Sequence, residues 1–331
     1  MHRDFGAGHN LLREVAGRPG RAPFAYAWGF SQALAADIAI ARAMASPAAR
    51  ARVRRDLSGL NHYWNNAASP PAYDCAVTPP LMRGGARFFD DNAWIGLDLV
   101  HAYELDGDPL FLQRAEQVFA FTESGWDADP SHPDPGGVFW ADTSSNRDRA
   151  TVSTAGAAQL GLELYLANGD RAELEAATSM LAWVDGTLRA PNGLYWDHVD
   201  LRGRIDTKQW SYNQGQMLGA YALLYRATGD PAALGKAEAI ASASLQKFRA
   251  SGFHAQPAIF NAIYFRNLER LDLMAPHGLY ARAMRSYAAS IDRRTPRRTG
   301  LTQTPGAHLL DQAAVVAANA DLALLERKSP G

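Results

Sequence analysis

Cysteine is almost absent: Cys75 stands alone in 331 residues. No intrachain disulfide can form, and a cysteine-based zinc site is excluded. No Asn-x-Ser/Thr sequence occurs, so there is no acceptor for an N-linked glycan. No stretch approaches the roughly 18 uninterrupted apolar residues of a membrane span. The opening Met1-His2-Arg3-Asp4-Phe5-Gly6 lacks the apolar segment of a secretory leader. The expectation is a soluble, cytoplasmic chain with no membrane span, or an exported one if a leader has been cut away. An excess of one charge is missing as well, with 33 Lys and Arg against 34 Asp and Glu. Nucleic-acid binders usually carry a strong basic surplus, so no nucleic-acid partner is expected. The basic clusters Arg50 to Arg55 and Arg293 to Arg298 read as solvated surface. Strand-like alternation is scarce, apart from a short hairpin expected around Gly193 to Arg204.

What is present is a repeat. Gly107-Asp108, Gly169-Asp170 and Gly229-Asp230 recur about every 60 residues, the kind of period that stacked supersecondary units produce. Each is preceded by an apolar stretch and followed by an amphipathic one. Glycine tolerates the left-handed conformation that ends a helix. The aspartate after it can cap the next helix, and Pro109 and Pro231 sit where a missing N–H costs nothing. Each unit therefore reads as a helical hairpin whose first helix is buried on every side and whose second has one wet face. A polar residue is expected to cap the first helix of each unit, with Asp90, Ser153 and Ser211 in equivalent places. Further apolar helices are expected at about 26–45, 257–273 and 306–326. Outer partners are expected at about 48–65 and 275–291, and the segment His9 to Val15 is the candidate for the last. Six inner helices ringed by six outer ones make an all-α (α/α)6 barrel. It occupies residues 1–331 as one domain, with 1–23 an N-terminal extension partly packed on the ring. An open solenoid of hairpins is the architectural alternative.

In such a ring the inner helices run parallel, and their starts converge on one mouth. The starts are unusual in composition. Phe88 to Trp94 open one helix, Trp210 to Gln214 another, Tyr26, Trp28, Ser31 and Gln32 the first, and His308, Asp311 and Gln312 the last. Loops 65–87, 123–150 and 189–209 open on the same end and add Trp140, Asp142, Asn146, Trp196, Asp197, His198 and Asp200. Aromatic rings interleaved with Asp, Asn and Gln suit sugars, which have apolar C–H faces and a rim of hydroxyls. The candidates for substrate binding are Asn92, Trp94, Trp140, Asn146, Trp196, Asp197, Trp210, Tyr212, Asn213 and Gln214. No metal and no cofactor is expected.

Asp90 alone is explained by helix capping. Asp91 is surplus to a cap. Two adjacent carboxylates among Phe88, Phe89 and Trp94 repel each other in apolar surroundings, and both effects favour keeping one protonated. A glycosidase needs that combination: one carboxylate ionised, one acid to protonate the leaving oxygen.

Phe89-Asp90-Asp91-Asn92-Ala93-Trp94, followed by Ala102-Tyr103-Glu104-Leu105-Asp106-Gly107-Asp108, resembles the signature of glycoside hydrolase family 76. Gly136-Gly137-Val138-Phe139-Trp140 and Tyr212-Asn213-Gln214-Gly215 are similar to further segments of that family, in the same order, over roughly residues 24–326. The resemblance implies an (α/α)6 fold and an endo-acting α-1,6-mannanase that retains configuration, with Asp90 as nucleophile and Asp91 as general acid/base. It implies an oligo- or polysaccharide substrate, an α-mannoside, and no metal. Tyr195-Trp196-Asp197 matches the segment whose aspartate helps hold the sugar, which makes Asp197 the candidate. The helix opening Ser153-Thr154-Ala155-Gly156 departs from the family pattern, and Asp197-His198-Val199-Asp200 is the loosest match. Transglycosylation by the same pair, a toroidal sugar epimerase of the N-acylglucosamine 2-epimerase type using His198, His254 or His308, and a non-catalytic carbohydrate-binding toroid are the competing readings.

Overall fold

The protein is described here by a computed structural model that covers residues 1–17, 22–295, 300–301 and 306–328, without the side chains of 250 and 251. Parts of the expected extension 1–23 and of the basic cluster Arg293 to Arg298 lie outside the described residues. The long helices alternate between inner and outer positions. The inner ones are α2 (Ala27–Met44), α4 (Phe89–Asp106), α6 (Thr151–Asn168), α8 (Ser211–Thr228), α10 (Ala258–Met274) and α12 (Leu309–Lys328). The outer ones are α3 (Pro47–Leu60), α5 (Pro109–Ser124), α7 (Arg171–Thr187), α9 (Pro231–Ser251) and α11 (Gly278–Asp292). Each inner helix packs on the next, and α12 returns to α2, which closes the ring. The architecture is the (α/α)6 toroid expected from the sequence.

The Gly-Asp turns work as read. Gly107, Gly169 and Gly229 end their helices at φ of 72°, 80° and 72°, a conformation that penalises any Cβ. Asp108, Asp170 and Asp230 then cap the outer helices by accepting the N–H of Leu110, Ala172 and Ala232. Inner helices run close together where side chains are small. A Cβ on Gly215 would lie 2.6 Å from the Cα of Tyr264, so α8 and α10 approach through that position.

Two expectations about the helices need correction. His9 to Val15 is not the sixth outer helix: after the one-turn α1 (His2–Phe5) the chain makes a small hairpin of β1 (Gly6–Gly8) and β2 (Leu11–Leu12). Its Gly8 and His9-Asn10 corner has positive φ throughout, which no helix accepts. Phe5, Leu11 and Leu12 are nevertheless buried against α2 and α3. The imidazole of His2 reaches Asp37 at 2.7 Å and Asp56 at 3.4 Å on those helices. Nor do polar side chains cap the inner helices. The N-cap residues of α2, α4, α6, α8 and α10 are Tyr26, Phe88, Ala150, Trp210 and Pro257, none with a side-chain capping bond.

The expected hairpin exists and is larger than expected. β6 (His198–Asp200) pairs with β7 (Ile205–Asp206) and, on its other edge, with β5 (Asp148–Ala150) from the loop 123–150. Arg149, fully buried, binds Asp127 at 2.9 Å and donates to the carbonyls of Pro133, Asp134 and Asp200. That one side chain fixes the long loop to the sheet. A second pair, β3 (Trp64–Asn65) and β4 (Ala72–Tyr73), folds the loop 65–87.

Candidate active site

Two cavities of about 480 Å³ lie at opposite ends of the ring. The one at the helix C-termini is lined by charges that pair internally, including Arg270 with Glu163 at 2.7 Å. The one at the helix N-termini is lined by Tyr26, Trp28, Cys75, Phe88, Asp90, Asp91, Trp94, Trp140, Tyr212 and Phe260. Seven of those ten are aromatic, and the only carboxyls among them are the adjacent pair. Aromatic faces beside two carboxyls with no cationic partner among the described residues are suited to acid–base chemistry on a sugar; a wall of mixed charges around the Arg270–Glu163 pair is less so.

Helix position explains which residues face this cavity. Asp90 and Tyr212 are the second residues of α4 and α8, as Trp28 is of α2; Asp91 and Phe260 are the third residues of α4 and α10. The fourth residue turns toward the preceding loop instead. Asn92 accepts the N–H of Tyr73 and donates to the carbonyls of Tyr73 and Phe88. Gln214 accepts the N–H of Tyr195 and donates to the carbonyls of Tyr195 and Trp210. Thr154 accepts the N–H of Val138 and donates to the carbonyl of Ala150, and Asn261 donates to the carbonyl of Phe253. These side chains are not caps, because they leave the first N–H groups of the helix unserved; they tie the loop before each helix to its first turn. Asn92 and Gln214, expected to bind substrate, are fully buried with their amides committed to backbone. Their role is to hold the loops.

Asp90 is buried, and both its oxygens are engaged. Oδ1 accepts the N–H of Asp91 at 2.9 Å, and Oδ2 accepts the indole N–H of Trp140 at 3.1 Å. Trp140 is placed by the loop: its carbonyl accepts the N–H of Phe89, its N–H donates to Asp148, and its ring packs on Phe88 at 4.9 Å. Burial pushes the Asp90 carboxyl up to about 7, against the two donors that favour its ionised form. Among the described residues no side chain donates a hydrogen bond to Asp91. Burial and then the charge of Asp90 drive it well above the usual carboxylate range. The two therefore divide one proton unequally, with Asp90 the better anion and Asp91 the group that retains the proton.

Around them the rings form a chain. Trp28 packs on Trp94 at 4.3 Å, Trp94 approaches Tyr212 at 6.3 Å, and Tyr212 stacks on Phe260 at 3.9 Å. Asp197 stands beside this group, and its charge acts on both Asp90 and Tyr212. Asn213, buried on α8, donates to Asp197 Oδ1 at 3.0 Å. The other expected residues lie apart from the cavity wall. Trp196 is half-buried against the core, and its carbonyl accepts Thr151 Oγ1. Trp210 packs edge-on to Phe260 at 5.6 Å. Asn146 accepts the N–H of Ala141 and lines an adjoining pocket of about 490 Å³, which shares Phe88 and Trp140 with the cavity. Cys75 and Phe260 were not anticipated; counting helix positions would have found Phe260, whereas nothing local marks Cys75.

Among the described residues, two trios bring imidazole and carboxylate atoms within 4.8 Å of one another: His2, Asp37, Asp56 and Asp197, His198, Asp206. The first clamps the N-terminal segment; the second lies at the mouth. No histidine lines the cavity among the described residues. His254 contacts Arg294 and Tyr287, and His308 pairs its backbone with Val15.

Comparison with known proteins gives this site its context. The profile of glycosyl hydrolase family 76 matches residues 10–310, nearly the whole chain. The chain belongs to that family. It is thereby a glycoside hydrolase, and the paired aspartates lie in a family 76 toroid. The family 76 mannosidase Bt3792 of Bacteroides thetaiotaomicron superposes with a TM-score of 0.87 at 25% identity, covering 98% of this chain and 94% of that one. An inactive variant of the α-1,6-mannanase GH76A of Salegentibacter sp. HEL1_6, bound to α-1,6-mannotriose, shares the fold with a TM-score of 0.79 at 21% identity, over 98% and 96% of the two chains. The mannan endo-1,6-alpha-mannosidase DCW1 of Saccharomyces cerevisiae is 28% identical over 165 residues, 45% of this chain. The matched part is 36% of that relative's length.

Proposed function

We propose that this family 76 hydrolase cleaves α-1,6-linked mannosides within an oligo- or polysaccharide, retaining anomeric configuration through a double displacement at Asp90 and Asp91. The observation that carries the reading is the unequal setting of the two carboxyls. Asp90 receives two hydrogen bonds that favour its charged form; Asp91, among the described residues, receives none, and burial beside Asp90 favours its protonated form. In the first step Asp91 gives that proton to the glycosidic oxygen as the C1–O bond breaks. A carboxylate oxygen of Asp90 bonds to C1, forming a glycosyl ester. In the second step the Asp91 carboxylate takes a proton from water, the water oxygen bonds to C1, and Asp90 leaves as a carboxylate. The rings of Trp28, Trp94, Trp140, Tyr212 and Phe260 offer apolar faces for sugar C–H groups. Asp197 is assigned to the hydroxyls of the sugar at the cleavage point. The α-1,6-mannoside is supported by the activity in the name of DCW1 and the ligand in the Salegentibacter complex.

The test uses α-1,6-mannotetraose as the substrate. The wild-type protein is expected to release shorter oligosaccharides, and Asp90→Asn to lose at least about 10³-fold in kcat/KM. Asp91→Asn is expected to lose about 10²–10⁴-fold. On a dinitrophenyl α-mannobioside, whose leaving group needs no proton, Asp91→Asn should recover formation of the glycosyl ester, with azide raising turnover. Full activity in both variants would sink the mechanism.

A further inference from the structure

Asp197 is held more firmly than a residue that only contacts sugar needs to be. Its backbone N–H donates to the carbonyl of Asp206 at 3.0 Å, and its carbonyl accepts the N–H of Thr151, the first residue of α6, at 2.8 Å. Each carboxylate oxygen accepts one side-chain donor: Oδ1 from Asn213 Nδ2 and Oδ2 from His198 Nδ1, both at 3.0 Å. Among the described residues no Lys or Arg pairs with it; His198 is its one basic partner. A carboxylate with one donor on each oxygen still has lone pairs for two more. Those are the acceptors a sugar hydroxyl would find, at fixed positions.

His198 is built for that task. It opens the central strand β6, with Ala150 across one edge and Asp206 across the other. Its far nitrogen, Nε2, lies 3.8 Å from Asp148 Oδ1, beyond a hydrogen bond but close enough to attract the ring edge. The ring thus sits between the carboxylate it serves and one behind it. The carboxylates facing it come from each strand of the sheet: Asp148 of β5, Asp197 beside β6 and Asp206 of β7. An imidazole in that setting keeps a hydrogen on Nδ1, the atom aimed at Asp197.

We propose that His198 is a positioning residue for the hydrolysis: through its Nδ1–H it fixes the orientation of the Asp197 carboxylate, and through nothing else. The inference rests on the functional reading above and adds a residue to which neither the family resemblance nor the chemistry of the paired aspartates gives a role.

The experiment compares His198→Ala, His198→Asn and His198→Gln on α-1,6-mannotetraose, with kcat and KM separated and Tm measured for each. An asparagine amide nitrogen falls near the place of Nδ1; that of glutamine falls near Nε2. Removing the donor should lower kcat by about 10–100-fold and change KM little, because misplacing a positioning group weakens the transition state more than binding. His198→Asn should return to within about three-fold of wild type, and His198→Gln should not. In an Asp197→Asn background, His198→Ala should have no further effect, since a residue acting only through another is fully coupled to it.

The proposal is overturned if His198→Ala keeps wild-type kcat, if Gln rescues as well as Asn, or if the loss persists undiminished in the Asp197→Asn background. Loss of wild-type turnover on chelator treatment would also overturn it, because the Asp197, His198 and Asp206 atoms would then be serving a cation. A loss of kcat that tracks a fall in Tm across all three variants would mean a structural role only. If the wild-type protein does not turn over the tetraose at all, it is the functional reading that fails; the same coupling is then read on whichever glycoside is cleaved.

Discussion

Among the described residues the indole N–H of Trp140 is the one side-chain donor that reaches Asp90, across 50 residues of sequence. A donor to the ionised form lowers a carboxyl pKa, so Trp140 offsets part of the upward push from burial. Trp140→Phe keeps the contact with Phe88 and removes only the N–H. The Asp90 pKa then rises above about 7, and less of the nucleophile is ionised at any pH below that. The acid limb of kcat/KM should move to higher pH by about one unit, with a loss of roughly ten-fold at pH 6, as expected for one hydrogen bond to a charged group. A limb that stays in place in a pH–rate profile would show that the indole has no part in holding the charge. At this scale the sequence was informative about identity and silent about partners. Asp90 and Asp91 stand out because two charges among Phe and Trp need a reason. The bond from Trp140 depends on the backbone pairing of Phe88 with Ala141, which no local pattern encodes. For Asn92 and Gln214, polarity near a mouth suggests a ligand, whereas the turn of the helix aims the fourth residue at the loop.

Among the elements, the recurring device is a polar fourth residue that locks an inner helix to the loop before it. Asn92 carries three such bonds, to both backbone groups of Tyr73 and to the carbonyl of Phe88. Asn92→Ala would leave the N–H and carbonyl of Tyr73 buried without this partner, while the carbonyl of Phe88 keeps the backbone N–H of residue 92. The substitution should cost about 2–4 kcal/mol in denaturant unfolding. It should also reduce activity, since Asp90 and Asp91 lie in the same helical turn. A cost below about 1 kcal/mol would mean that water or a rearranged loop replaces the amide, and the locking role would fall. The hairpins themselves were legible, because Gly-Asp followed by Pro signals a stop and a start through backbone conformation alone. The register inside the hairpins was not. Aligning Asp90 with Ser153 and Ser211 equated the second residue of α4 with the third of α6 and the first of α8. Polar residues near a helix start suggest caps, but these helices begin on Phe88, Ala150 and Trp210.

Over the whole molecule, closure of the ring does the positioning. Six parallel inner helices bring their first turns to one end, so that residues as distant as Trp28 and Phe260 line one cavity with the paired aspartates. Apolar inner stretches and wet outer ones made that architecture readable from periodicity and chain length. Less readable was how the ring is finished. The N-terminal segment contributes a one-turn helix and a hairpin rather than a sixth outer helix, and Glu14 and Ala16 join the start of α12 through Leu309 and Ala307. The sheet β5-β6-β7 joins loops about 50 residues apart and sets Asp197 and His198 at the mouth, a pairing decided by tertiary contact. The central claim is a double displacement within this ring, with Asp90 bonding the anomeric carbon and Asp91 moving the proton in both steps. Proton NMR of the first sugar released from α-1,6-mannotetraose, recorded before mutarotation, tests it most directly. The account predicts the α-anomer, formed by two inversions; initial release of the β-anomer would mean a single displacement by water and would contradict it.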